Sequence, residues 1–102
     1  MVCPIEITVN LISSKWKTLI LRDLMHGPQR FGELSRNIRG ISQKMLTQQL
    51  REMEKDGLIN RQTFPEVPPK VEYSLTEIGQ SLKPILDAMH AWGELYKTKE
   101  SS

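Results

Sequence analysis

The chain is poor in the residue types that covalent and metal chemistry use. Its 102 residues include one cysteine and two histidines. A single cysteine excludes an internal disulfide. His26 and His90 form no set with cysteine or carboxylate at ligand spacing, so no metal is expected, and they are better explained as a helix-end residue and a surface or interface residue. There is no glycine-rich phosphate loop and no nucleophile with a base beside it, so neither catalysis nor a cofactor is expected. Long apolar runs are missing too. The longest stretch without Asp, Glu, Lys or Arg is Ile7 to Ser14, eight residues, far short of the roughly 20 that span a bilayer. The opening MVCPIEITVN has no basic region and carries Glu6, unlike a secretory signal. These absences predict a soluble, cytoplasmic protein with no membrane partner. At 38% hydrophobic and 25% charged, residues 1–102 suffice for one compact core and are read as a single domain.

What the chain does have is charge in one place. Lys15 to Arg51 holds eight positive residues against Asp23 and Glu33, a local excess of 6, while the remainder is acidic by 4. That segregation suits a surface that meets a polyanion.

Helix signals punctuate the same half. Pro4 opens a first helix with Ile5, Val9 and Ile12 at helical spacing, and Ser13 or Ser14 caps a second that stops at His26-Gly27-Pro28. A third, about Phe31 to Asn37, packs through Phe31, Leu34 and Ile38. Across the turn Arg39-Gly40-Ile41, Ser42 caps a fourth that Gly57 ends. On this fourth helix Leu46, Leu50 and Met53 share one face. Lys44, Thr47, Gln48, Arg51 and Lys55 share the other. Donors, amides and positive charge are the groups that read base edges and phosphates in a major groove. Two helices joined by a short glycine-bearing turn form a helix-turn-helix, with the second as the reading helix. Arg51, Thr47, Gln48 and Lys44 are therefore the expected DNA readers, with Ser42 and Gln43 near phosphates at the helix start. Arg30, Arg39 and Lys70 are expected to touch the backbone.

After Gly57 the period changes from 3.6 to 2. Leu58 to Phe64 and Lys70 to Leu75 alternate as strands, and three prolines among Pro65 to Pro69 stiffen the tip. The result is a two-stranded wing, in an α+β, mostly α, winged helix-turn-helix. A last helix, Thr76 to Lys97, carries Ile78, Leu82, Ile85, Met89, Trp92 and Tyr96 at heptad spacing, with Pro84 expected to kink it after the second turn. Residues 1–14 and 76–97 are thus read as dimerisation helices. Ile5, Val9, Leu82, Ile85, Met89, Trp92 and Tyr96 are the interface candidates, and a two-fold dimer would present two reading helices.

Five stretches together resemble one family: Cys3-Pro4, Gly27 to Leu34, Gly40 to Thr47, Leu50 to Leu58 and Pro65 to Thr76. They are similar to the HxlR-type winged-helix transcriptional regulators, bacterial relatives of the MarR group, over Cys3 to about Gly93. The run Ile41-Ser42-Gln43-Lys44-Met45-Leu46 is the specific part. Where the family usually has Gly-Gly before the Lys-Trp of the second helix, this chain has Ser13-Ser14. The resemblance implies a homodimeric regulator, a repressor or autoregulator, on an inverted-repeat operator in double-stranded DNA.

Cys3 is the one candidate for reactive chemistry. Preceding a proline steers it into the N-cap position, where the helix dipole and unpaired N–H groups favour thiolate. Some HxlR-type regulators use this cysteine to sense disulfide stress, quinones or other electrophiles. With no second cysteine, oxidation here gives only an intersubunit bridge or a mixed adduct. The plainer reading is a small hydrophobe under the dimer helices. The rival for the whole chain is a winged-helix protein-interaction module without specific DNA binding, since fold alone does not specify function.

Overall fold

A computed structural model describes residues 2–101, so Met1 and Ser102, the ends of the expected 1–102 domain, lie outside the described residues. In chain order the elements are α1 (Pro4–Ile12), α2 (Lys15–Leu24), β1 (Gln29–Arg30), α3 (Phe31–Asn37), α4 (Gln43–Lys55), β2 (Ile59–Phe64), β3 (Lys70–Leu75), α5 (Glu77–Gln80) and α6 (Lys83–Ser101). The fold is a winged helix, mostly helical, with one small antiparallel sheet.

Local signals set the helix ends. Ser14 caps α2 by accepting the Lys17 N–H, and Ser42 caps α4 by accepting the Met45 N–H at 3.0 Å. At the other end of α4, Gly57 adopts φ +80, a left-handed conformation that a side chain would strain. This lets Leu58 N–H reach back to the Met53 carbonyl at 2.9 Å and Gly57 N–H to Glu54 at 3.1 Å. The paired bonds satisfy carbonyls that the helix end would otherwise leave open, and they turn Leu58 into the core.

That core is built from α2, α3, α4 and the sheet. Ile20, Leu21, Leu34, Leu46 and Met53 are fully buried, with Ile38, Leu50, Leu58 and Ile59 at 2% exposure or less. Each such side chain contributes roughly 1.5–3 kcal/mol of transfer free energy. The apolar stripe of α4 meets this core as its sequence predicts, which fixes the opposite face outward.

Three expectations are corrected. The wing hairpin, in register from Ile59 opposite Leu75 to Phe64 opposite Lys70, belongs to a three-stranded sheet of order β1-β3-β2, because Gln29 and Arg30 pair with Tyr73 and Glu72. The terminal helix is two helices. Thr76 caps α5 by accepting the Gly79 N–H at 3.0 Å, while its hydroxyl bonds the carbonyls of Gly57 and Leu58. Gly79 packs so closely on the Leu58 carbonyl that a Cβ would collide with it. The chain then breaks at Ser81-Leu82, ahead of Pro84, where the sequence pattern predicts a continuous helix kinked by that proline after its second turn. A proline ring clashes with the carbonyl four residues before it but fits the first turn of a helix, where α6 places it. Finally, Leu82 is 8% exposed and part of the core, not of an open seam, and Ile78 falls on the separate helix α5. The heptad run that remains is Ile85, Met89, Trp92 and Tyr96.

Candidate nucleic-acid interface

The outward face of α4 is assembled by its own burial. With Leu46, Leu50 and Met53 inside, Gln43, Lys44, Gln48 and Arg51 are exposed and Thr47 is half-buried. These five, with Phe31 at the start of α3 and with Glu52, line an open concavity of about 750 Å³. Thr47 donates its hydroxyl to the Gln43 carbonyl at 2.8 Å and still borders the concavity. Ser42 stands exposed at the helix N-terminus, where the first-turn N–H groups and the helix dipole favour an anion.

The flanking cations are not equivalent. Arg30 is exposed at the junction of β1 and α3, where its backbone N–H bonds the Glu33 carboxylate at 2.8 Å. Arg39 is exposed in the turn between α3 and α4. Neither borders the concavity. Lys70, at the start of β3, has its ammonium 3.2 Å from Glu72 and 4.9 Å from the centre of the Phe64 ring, so part of its charge is already spent. Within the basic segment Lys17 is spent as well: it is buried and bonds Glu52, one residue beyond the Lys15 to Arg51 window. That ammonium holds the Glu52 carboxyl below the usual range, first through the hydrogen bond and then through its charge. A depressed carboxyl contributes stability above the ordinary glutamate value of about 4.3, and that stability is lost as pH falls through the lowered value. On the wing, burial pushes the Tyr73 phenol up.

The terminal helices are open. Helix α1 has no buried residue, and every residue from 87 to 100 is exposed. Ile5, Val9, Met89, Trp92 and Tyr96 are each about half exposed or more, and Ile85 is 38% exposed. Ile5, Val9, Ile12, Ile85 and Met89 border a groove between α1 and the base of α6. Trp92 and Tyr96 stack at 5.3 Å. Cys3 is the N-cap of α1, exposed, free and making no side-chain cap bond, with its carbonyl accepting the Ile7 N–H at 3.2 Å.

The sequence pattern of the HxlR-like helix-turn-helix family matches residues 11–101. The chain belongs to that family. An uncharacterised HTH-type transcriptional regulator of Methanothermobacter thermautotrophicus is 52% identical to this HxlR-family chain over 100 residues, covering 98% of it and 76% of the relative. Among solved structures, the redox regulator HypR in its reduced form superposes with a TM-score of 0.91 at 46% identity, over 98% of this chain and 100% of HypR. The oxidised form of HypR gives 0.86 at 49% identity, over 90% and 95% of the two chains. As an HxlR-family member the protein is a DNA-binding transcriptional regulator. No helix among its described residues is long and apolar enough to cross a membrane.

Sequence reasoning missed two parts of this site. Glu52 and its partner Lys17 lie 35 residues apart, and no local pattern links them. Gln49, on the helix of the DNA readers, is buried and accepts the Ser14 hydroxyl at 3.1 Å.

Proposed function

We propose that the protein works as a homodimer in the cytoplasm, laying α4 of each subunit in successive major grooves of an inverted-repeat operator. Arg51, Gln48, Thr47 and Lys44 read base edges, while Gln43, Ser42 and the exposed Arg30 and Arg39 hold phosphates, with Lys70 on the wing as a weaker partner. The observation that carries this reading is the division of α4: one face is fully committed to the core and the other is uncovered, polar and basic. Residues 1–14 and 76–97 supply the subunit contact through Ile5, Val9, Ile85, Met89, Trp92 and Tyr96. The part of α6 from residue 87 to 100 is exposed on every side and is marginal as an isolated helix, which supports a partner on α6. The direct test is a gel shift of the protein on its own upstream region at two salt concentrations. Specific binding that weakens steeply with salt is the expected result, and no shift beyond that of unrelated DNA would reject the reading.

Cys3 supports a second element, an electrophile or oxidant response. Its thiol is exposed at the start of a helix that belongs to the proposed contact, and HypR is a redox regulator with reduced and oxidised forms. Two Cys3 thiols from two subunits, losing two electrons and two protons to an oxidant, form an intersubunit disulfide. A quinone instead adds to one thiol. Either product shifts α1 against the other subunit and resets the spacing of the two reading helices. Cys3→Ser keeps a capping oxygen and removes the chemistry, so it should bind DNA as wild type and ignore oxidant.

A further inference from the structure

Among the residues of α4 that line the concavity, one is a carboxylate. Glu52 borders the same concavity as Lys44, Gln48 and Arg51, and its side chain is 44% exposed. Left unpaired there, a negative charge would repel the phosphates that its neighbours attract. Its partner comes from another helix: Lys17 of α2 donates from Nζ to Glu52 Oε1 at 3.0 Å. Lys17 is only 7% exposed, so its side chain is not extended toward a phosphate. Gln48, one turn earlier on α4, adds a smaller influence in the same direction as Lys17 on the Glu52 carboxyl. The same turn of α2 grips α4 a second time. Ser14 donates to Gln49 Oε1 at 3.1 Å and accepts the Lys17 backbone N–H at 3.1 Å, while Gln49 Nε2 reaches Met45 Sδ at 3.3 Å.

We propose that Lys17 is a positioning residue for DNA binding: it cancels the charge of Glu52 and holds that carboxylate toward α2, away from the phosphates. The cost of burying an ammonium is offset by the pair, and the gain is a reading surface whose net charge stays positive. Lys17 touches no DNA in this arrangement. Its effect on affinity runs entirely through Glu52, and the inference rests on α4 being the reading helix.

The test is the affinity of the full chain for its upstream region at low and high salt, for wild type, Lys17→Met, Glu52→Gln and the double variant, with Arg51→Ala alongside. Lys17→Met keeps the length of the buried stem and removes the charge. It should weaken binding to all sequences alike, by about tenfold at low salt, and the deficit should narrow at high salt, where exposed charge is screened. Adding Glu52→Gln should recover most of the loss, which a merely structural role for Lys17 would not allow. Glu52→Gln alone should bind severalfold more tightly at low salt. Wild-type affinity in Lys17→Met, or a double variant as weak as Lys17→Met, would overturn the proposal. If Lys17→Met does not fold, Glu52→Gln decides alone, since a tenfold loss there would make Glu52 itself a DNA contact and overturn the proposal. Normal binding by Arg51→Ala would instead mean that α4 is not the reading helix. Loss in Arg51→Ala with no loss in Lys17→Met would remove only the role of Lys17.

Discussion

From α2 to β3 the chain buries a continuous apolar core, whereas α1 has no fully buried residue and α6 beyond Leu86 is exposed on every side. Both regions are rich in large apolar residues, so composition does not separate them. What separates them is closure. In the body, a stripe such as Leu46, Leu50 and Met53 finds partners within the same chain, and the polar face left over is the proposed reading surface. In the arms, Ile5, Met89, Trp92, Leu95 and Tyr96 stay exposed, and that apolar face is the proposed functional surface. In the proposed function the body carries the chemistry of recognition, and the arms carry its valency.

A charge placed in the arms should break this division most severely. Met89→Glu should leave the body folded by circular dichroism yet give monomers, and operator affinity should fall by about 10²-fold or more, because two tethered half-site readers multiply their effective concentration. Unchanged affinity with unchanged mass would mean the arms do not join subunits. In the body, Arg51→Ala should cost roughly 1–3 kcal/mol on the preferred site and flatten preference at one base position, with unfolding by urea unaffected since the side chain is exposed. An equal loss on every sequence would demote Arg51 to a phosphate contact. The smallest effects belong to the flanks. Arg30→Ala should reduce the salt slope by about one unit, and Lys70→Ala by less, because Glu72 already holds that ammonium. A larger change for Lys70 would show that the pair with Glu72 opens on DNA.

The elements legible in the sequence are those defined by neighbours along the chain. Ser14, Ser42 and Gly57 mark α2 and α4 by bonds that span three to five residues, and the burial of α4 follows from its own periodicity. What escaped is pairing between distant segments. Strand β1 is two residues long and exists only because Tyr73 and Glu72 lie beside it. The Lys17 and Glu52 pair joins two helices, so Lys17 reads in sequence as one more solvated cation. Leu82 fits the heptad phase of Ile85 and Met89 by spacing alone. The break ahead of Pro84 turns it inward, a result that depends on where α5 packs against Leu58.

Whether one chain is half of the working molecule can be measured without DNA. Sedimentation equilibrium of the wild-type protein at micromolar concentration should give a mass twice that of the 11.8 kDa chain. It should fall to one chain in Met89→Glu. A wild-type protein that sediments as a single chain at those concentrations would contradict the assignment of α1 and α6 to a subunit interface.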